Sequence, residues 1–192
     1  KTTIMKKDII LSGVGGQGIL SIASVIDLAA IKSGLNVKQS EVHGMSQRGG
    51  AVQSHLRISD GIIYSDIISL GTADMIVSVE PLEALRYLSF LKQDGRIITS
   101  VNFYKNIENY PDETELIDEL NRLNCLMIDA EKVAREVGNV KTSNMVVLGA
   151  AMPFLDLPQQ NIEFAEIFKN KGQNIIDVNI MALRKGIELI NL

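Results

Sequence analysis

The chain has 192 residues, 46% hydrophobic and 22% charged, a make-up that excludes collagen-like, mucin-like and largely disordered polymers. Lys+Arg 19 against Asp+Glu 23 leaves a formal net charge of −4 with no clustered basic run, so the electrostatic footprint of nucleic-acid binding is missing. A chain of this length buries roughly 70% of the surface it exposes when unfolded, so it needs neither disulfides nor a metal to fold.

The first seven residues carry charge but lead into a strand-like run, not into a leader with a small-residue cleavage site, and Met5 reads as the natural start. The apolar run over 8–12 ends in Gly13-Val-Gly-Gly-Gln-Gly18, after which apolar residues recur at Ile19, Ile22, Ala23, Ile26, Ala29 and Ala30. That pattern predicts strand, glycine turn, helix. Gly34 stops the helix, and a strand over 35–39 completes a βαβ unit of the Rossmann type.

Residues 40–50 have neither a helical nor an alternating period and contain three glycines, so they are expected as a loop before a strand over 51–58. Asp60-Gly61 then separates that strand from an apolar stretch over 62–65, which predicts a hairpin and makes the sheet mixed. From Asp74 the alternation resumes with a strand over 75–79, a helix over 81–91 and a strand over 96–101. A helix over 116–123 and a strand over 125–129 follow. The rest is helical in pattern, over 130–137, 144–155, 162–169 and 175–190, with Pro153 and Pro158 as breaks. The longest apolar stretches fall far short of the roughly 20 residues that a membrane-spanning helix needs. One α/β domain over residues 1–192 is the expectation, with a three-layer α/β/α Rossmann-like core, a mostly parallel, mixed sheet and a helical C-terminal third.

Gly13, Gly15 and Gly18 satisfy G-x-G-x-x-G in the strand-to-helix context where backbone N–H groups can meet an anion at a helix start. Gly16 and Gln17 complete the turn. The pattern has two readings, an anion or nucleotide contact or a tight structural turn. A dinucleotide fold also wants a carboxylate about 20 residues on, at the end of the second strand. The only candidate, Glu41, comes late and falls in the loop.

The stretch His43-Gly-Met-Ser-Gln-Arg-Gly-Gly50 offers an imidazole, an amide and a guanidinium at the sheet edge where open α/β folds bind ligands. Arg48 can fork onto a carboxylate or phosphate, Gln47 can donate or accept, and His43 can move a proton near neutral pH. Gly49 and Gly50 let the backbone come close. Recognition of a ligand or partner is favoured over a plain surface loop. His55 falls out of phase with Val52, Leu56 and Ile58 and reads as a satisfied or exposed strand histidine. Glu80 either lines the site or caps the helix after it. Thr142-Ser143-Asn144 reads as a helix cap and Cys125 as a small core residue. A single thiol holds no iron–sulfur cluster and no structural zinc by itself, and it suits a reducing, cytoplasmic setting. There is no G-x-S-x-G, no phosphate loop ending in Gly-Lys, no H-E-x-x-H and no CxxC, so no catalytic or metal-binding residue is assigned.

Together, Gly13-Val-Gly-Gly-Gln-Gly18 and Glu41-Val-His-Gly-Met-Ser-Gln-Arg-Gly-Gly-Ala-Val52 resemble the gamma-type domain of the 2-oxoacid:ferredoxin oxidoreductases. The likeness covers nearly the whole chain, with Thr142-Ser143-Asn144 and the helical tail also similar. It implies a domain that binds no cofactor alone and works with a large subunit carrying thiamine diphosphate and iron–sulfur clusters. Ferredoxin, coenzyme A and a 2-oxoacid are the implied partner and substrates, with coenzyme A as a possible contact of this chain. The alternatives are a stand-alone NAD(P)-dependent dehydrogenase using the first βαβ unit, or a non-catalytic interaction module.

Overall fold

A computed structural model describes residues 5–43, 49–157, 164–168 and 171–190. In chain order the elements are β1 (Lys6–Val14), α1 (Ile19–Lys32), β2 (Asn36–His43), β3 (Ala51–Ser59), β4 (Ala73–Ser78), α2 (Pro81–Arg86) and β5 (Leu91–Ser100). They continue with α3 (Glu113–Arg122), β6 (Leu126–Ile128), α4 (Ala130–Glu136), α5 (Ser143–Ala151), α6 (Phe164–Ile167) and α7 (Gln173–Glu188).

The six strands form one sheet in the order β2-β3-β1-β4-β5-β6. β1, β4, β5 and β6 run parallel, while β3 is antiparallel to both of its neighbours. The sheet is mixed as expected, but for a different reason. Residues 62–65 form no strand. Two of their carbonyls are taken by side chains from the sheet, Ser65 by Arg57 Nη1 at 3.0 Å and Tyr64 by Lys38 Nζ at 3.5 Å. The βαβ expectation is corrected as well: β2 follows α1 and is parallel to β1, yet β3 lies between them.

Why these faces bury follows from the patterning. β1 is buried along nearly its whole length, as a central strand covered on both sides must be. Ile9 and Leu11 meet α1 and α5 on one face, and Ile10 joins Ile76 and Ile97 beneath α2 and α3 on the other. α5 is apolar all round and wholly buried from Asn144 to Ala151, which fits its place on β4 and β5 with α7 on its outer side.

Two expected helices are shorter than their patterns. The helix from Pro81 ends at Arg86, and Leu91 already belongs to β5, whose register against β4 shifts between Ala73 and Met75. That irregularity absorbs the expected Asp94-Gly95 turn. Met152–Phe154 is a 3₁₀ turn, because Pro153 cannot continue the ladder of α5. Of the helix expected over 162–169, Phe164–Ile167 is helical and Phe168 a turn, while 162–163 and 169 lie outside the described residues. No helix among the described residues is long and apolar enough to cross a membrane.

Candidate functional site

After β1 the chain crosses to one face of the sheet through α1, and after β4 it crosses to the other through α2. The crevice beyond the strand ends at such a switch point is where open α/β sheets take their ligands. A cleft of about 860 Å³ opens there, lined by the glycine turn at Gly16 to Gly18, by Val79 and Ser100, and by Lys141, Asn144 and Lys171.

The turn is closed by its own residues. Val14 N–H donates to Gln17 Oε1 at 2.7 Å, and Gln17 N–H donates to the Val14 carbonyl at 3.0 Å. Gly15 and the second motif are clasped in both directions: Gly15 N–H donates to the Gly50 carbonyl at 2.8 Å, and Gly49 N–H to the Gly15 carbonyl at 3.2 Å. These bonds continue the β1–β3 ladder past its last pair, Val14 and Ala51. Asn106 adds a third tie, its amide donating to the Gly49 carbonyl at 2.8 Å. The N–H groups of Val14, Gly15 and Gln17 are therefore spent on structure. Those of Gly16, Gly18 and Ile19 bond to no described residue, and an anion could take them.

Each glycine of the turn has its own task. Gly13 sits under it, where a Cβ would lie 2.5 Å from Val79 Cγ2, so it packs and does not line the cleft. Gly18 is the N-cap of α1 in the left-handed conformation, φ 82°, and a Cβ there would also lie 2.4 Å from Asn144 Nδ2. Asn144 needs that space because its amide donates to the Gly18 carbonyl at 3.0 Å. The capping explanation for Thr142-Ser143-Asn144 is thereby corrected. Thr142 makes no side-chain cap and instead donates to the Asn139 carbonyl at 2.7 Å, while Asn144 fixes the start of α5 to the start of α1.

Of the second motif, Gly49 and Gly50 are in place against the turn. His43 closes β2. Its side chain, and Gln47 and Arg48 altogether, lie outside the described residues. Asn102 joins the end of β5 to α4, accepting from Ser100 Oγ at 2.6 Å and from Glu131 N–H at 3.0 Å. Lys141 and Lys171, both exposed, make no ion pair among the described residues and leave two cations at the cleft.

Glu80, left open between site and cap, is a cap. It is 1% exposed and accepts from Glu83 N–H at 2.8 Å, from Tyr104 N–H at 3.4 Å and from the Tyr110 hydroxyl. Burial, followed by that bond, pushes the Tyr110 hydroxyl pKa up. His55 is the satisfied strand histidine. Its Nδ1 accepts from Ile68 N–H at 3.1 Å, and its Nε2 faces the Gln53 carboxamide. Burial and the neighbouring Arg57 lower its pKa and keep it neutral. Cys125 is part-buried with its thiol pushed up to about 12 by burial, the opposite of what a metal-binding thiolate needs.

The strand next to β1 argues against a dinucleotide. In that position a ribose-binding carboxylate would hang from the end of a parallel strand, but β3 runs the other way and Glu41 lies one strand further out, on β2.

A sheet wound this way, with a glycine turn at its switch point, is a domain of the α/β class. The chain belongs to the pyruvate ferredoxin/flavodoxin oxidoreductase family, whose model matches residues 8–189. It is 37% identical over 199 residues to the indolepyruvate oxidoreductase subunit IorB of Pyrococcus horikoshii, covering 96% of this chain and 98% of that one. Among solved structures it is similar to the gamma subunit of a keto/oxoacid ferredoxin oxidoreductase from Geobacter sulfurreducens, with TM-score 0.69 and 22% identity over 96% of this chain and 98% of that one. It is also similar to the 2-oxoglutarate:ferredoxin oxidoreductase of Magnetococcus marinus, solved with 2-oxoglutarate, coenzyme A and succinyl-CoA bound. There the TM-score is 0.75 at 21% identity, over 97% of this chain and 31% of that one.

Proposed function

We propose that the chain is the smaller, cofactor-free subunit of an indolepyruvate-type 2-oxoacid:ferredoxin oxidoreductase. The complex converts an aryl pyruvate, coenzyme A and oxidised ferredoxin into an aryl-acetyl-CoA, carbon dioxide and reduced ferredoxin. The observation that carries this reading is the 37% identity to an indolepyruvate oxidoreductase subunit over almost the full length of both chains.

Thiamine diphosphate supplies the carbanion chemistry and the clusters carry the electrons, both on a larger partner. The residues of this chain do not fit a cluster: Cys125 is the one thiol in the sequence, and burial keeps it protonated. What the chain contributes is an anion-facing rim. Free N–H groups of the glycine turn, with Lys141 and Lys171, suit the phosphates of coenzyme A, and Arg48 of the second motif is the pairing cation by its chemistry. The complex acts in a reducing cytoplasm.

In the reconstituted complex, Arg48→Ala should raise KM for coenzyme A about tenfold, or weaken assembly with the large subunit by a similar factor. Unchanged KM together with unchanged assembly would rule out this role. Titration of the isolated chain with NADH and NADPH separates the dehydrogenase alternative, which requires tight binding where the subunit reading expects none.

A further inference from the structure

We propose that residues 60–70 form the docking surface for the larger subunit. The inference rests on the subunit reading above and adds the place of contact.

This segment is fixed to the sheet, yet it shows apolar side chains to solvent. Arg57 Nη1 donates to the carbonyls of Ser65 at 3.0 Å and Ile67 at 3.1 Å, and Ile68 N–H donates to His55 Nδ1 at 3.1 Å. Asn36 Nδ2 donates to the Gly61 carbonyl at 3.0 Å, and Ile68 is wholly buried beneath the segment. Arg57 is itself held by a two-pronged bond to buried Asp8, at 2.9 and 3.0 Å. Against that anchoring, Ile62 is 75% exposed, Tyr64 87%, Ile67 46% and Leu70 65%. Single exposed apolar residues need no explanation, but four in one pinned stretch do.

The surface lies where the fold lacks a layer. α2 and α3 cover β1, β4 and β5 on this side, while among the described residues β2 and β3 have no helix above them, only the segment itself and Phe90 edge-on to His55. Half-exposed Val42 at the end of β2 points to the same side as Arg57 and extends the patch. The four side chains offer on the order of 500 Å², near the upper end for one patch on a monomer and below the roughly 800 Å² per side of a standard interface. The contact therefore runs on over the open part of the sheet.

The occupant is an apolar surface of the larger subunit that carries a cation. Asp66 stands in the middle of the patch and makes no ion pair among the described residues. A second copy of this chain fits worse, because a two-fold contact centred here would bring Asp60 and Asp66 against the same acids. In the Magnetococcus marinus enzyme this fold is 31% of one longer chain, so the rest of that polypeptide is at hand to cover it.

The full chain is co-expressed with the thiamine-bearing companion, and the dissociation constant is measured by sedimentation. Tyr64→Asp and Ile62→Asp should each weaken the complex about tenfold or more. Asp66→Asn should weaken it less and flatten its salt dependence. Ile31→Asp, at an equally exposed site on α1, should leave it unchanged. Thermal midpoints of the isolated variants should match the parent, since these side chains pack against little. If the parent binds the companion and Tyr64→Asp and Ile62→Asp bind equally well, the docking proposal falls and the subunit reading stands. If the parent does not bind the companion, both fall. If the parent forms a homodimer that Tyr64→Asp dissolves, the surface belongs to a second copy and the proposal is overturned.

Discussion

Asp27, in the middle of α1, shows how one side chain sets a pH dependence. Its Oδ1 is buried without a hydrogen-bond partner among the described residues, and burial raises its pKa from 3.8 to about 6. Between those values the folded chain keeps a proton that the unfolded chain has released. The contribution of Asp27 to stability is therefore most favourable below pH 4, falls as pH rises to about 6, and stays reduced above that, by up to about 3 kcal/mol. Asp27→Asn should gain about 1–3 kcal/mol at pH 7.5 and nothing at pH 4, measured by urea unfolding at both values. An equal gain at the two pH values would remove burial as the cause. Other single residues differed in how readable they were. His55 was legible because its position broke the strand's apolar phase, which marks a polar group with local partners. Asn144 was not, since its partner Gly18 is 126 residues away and no local pattern encodes that distance.

The contact between α5 and α7 is decided by two glycines. A Cβ on Gly149 would lie 2.1 Å from the Leu183 carbonyl, and one on Gly186 would lie 2.1 Å from the Val146 carbonyl, so the helix backbones touch. Alanine has the better helix propensity by about 1 kcal/mol, but the clash is with backbone that cannot turn aside. Gly149→Ala should thus lower stability by about 1–3 kcal/mol, and a rise in thermal midpoint would show that the helices part freely. Periodicity revealed that both helices exist, because apolar spacing is local. It gave no sign of which glycines meet. The strands behaved alike: β1, β3 and β4 were legible from apolar runs, whereas the insertion of β3 between β1 and β2 was not, since pairing order depends on contacts between distant segments. The stretch over 62–65 misled for a related reason, its side chains at Ile62 and Tyr64 facing solvent while Lys38 and Arg57 hold the carbonyls of Tyr64 and Ser65.

For the molecule as a whole, Gly16, Gln17 and Gly18 of the first motif line the candidate cleft, while much of its wall comes from outside both motifs. Lys141 and Lys171 reach the cleft from a turn before α5 and from the start of the α7 segment, far along the chain from either glycine motif. Partner binding also has a global readout. A companion present at about 100 times its dissociation constant should add roughly 2.7 kcal/mol, a rise of about 5–10 °C in thermal midpoint for a chain of this size. NADH should add none. Scanning calorimetry of the chain with each addition checks both, and a rise with NADH alone would return the glycine turn to the dehydrogenase reading.

The reciprocal bonds between Gly15 and the Gly49–Gly50 pair have one more consequence, for which changes of length the protein can accept. That rung fixes the register in which β3 enters the sheet, so a single residue inserted between Gly50 and Ala51 would break it. The insertion would slide β3 by one step and send Val52, Leu56 and Ile58 from the α1 side of the sheet to the opposite face, trading them for Arg57 and His55.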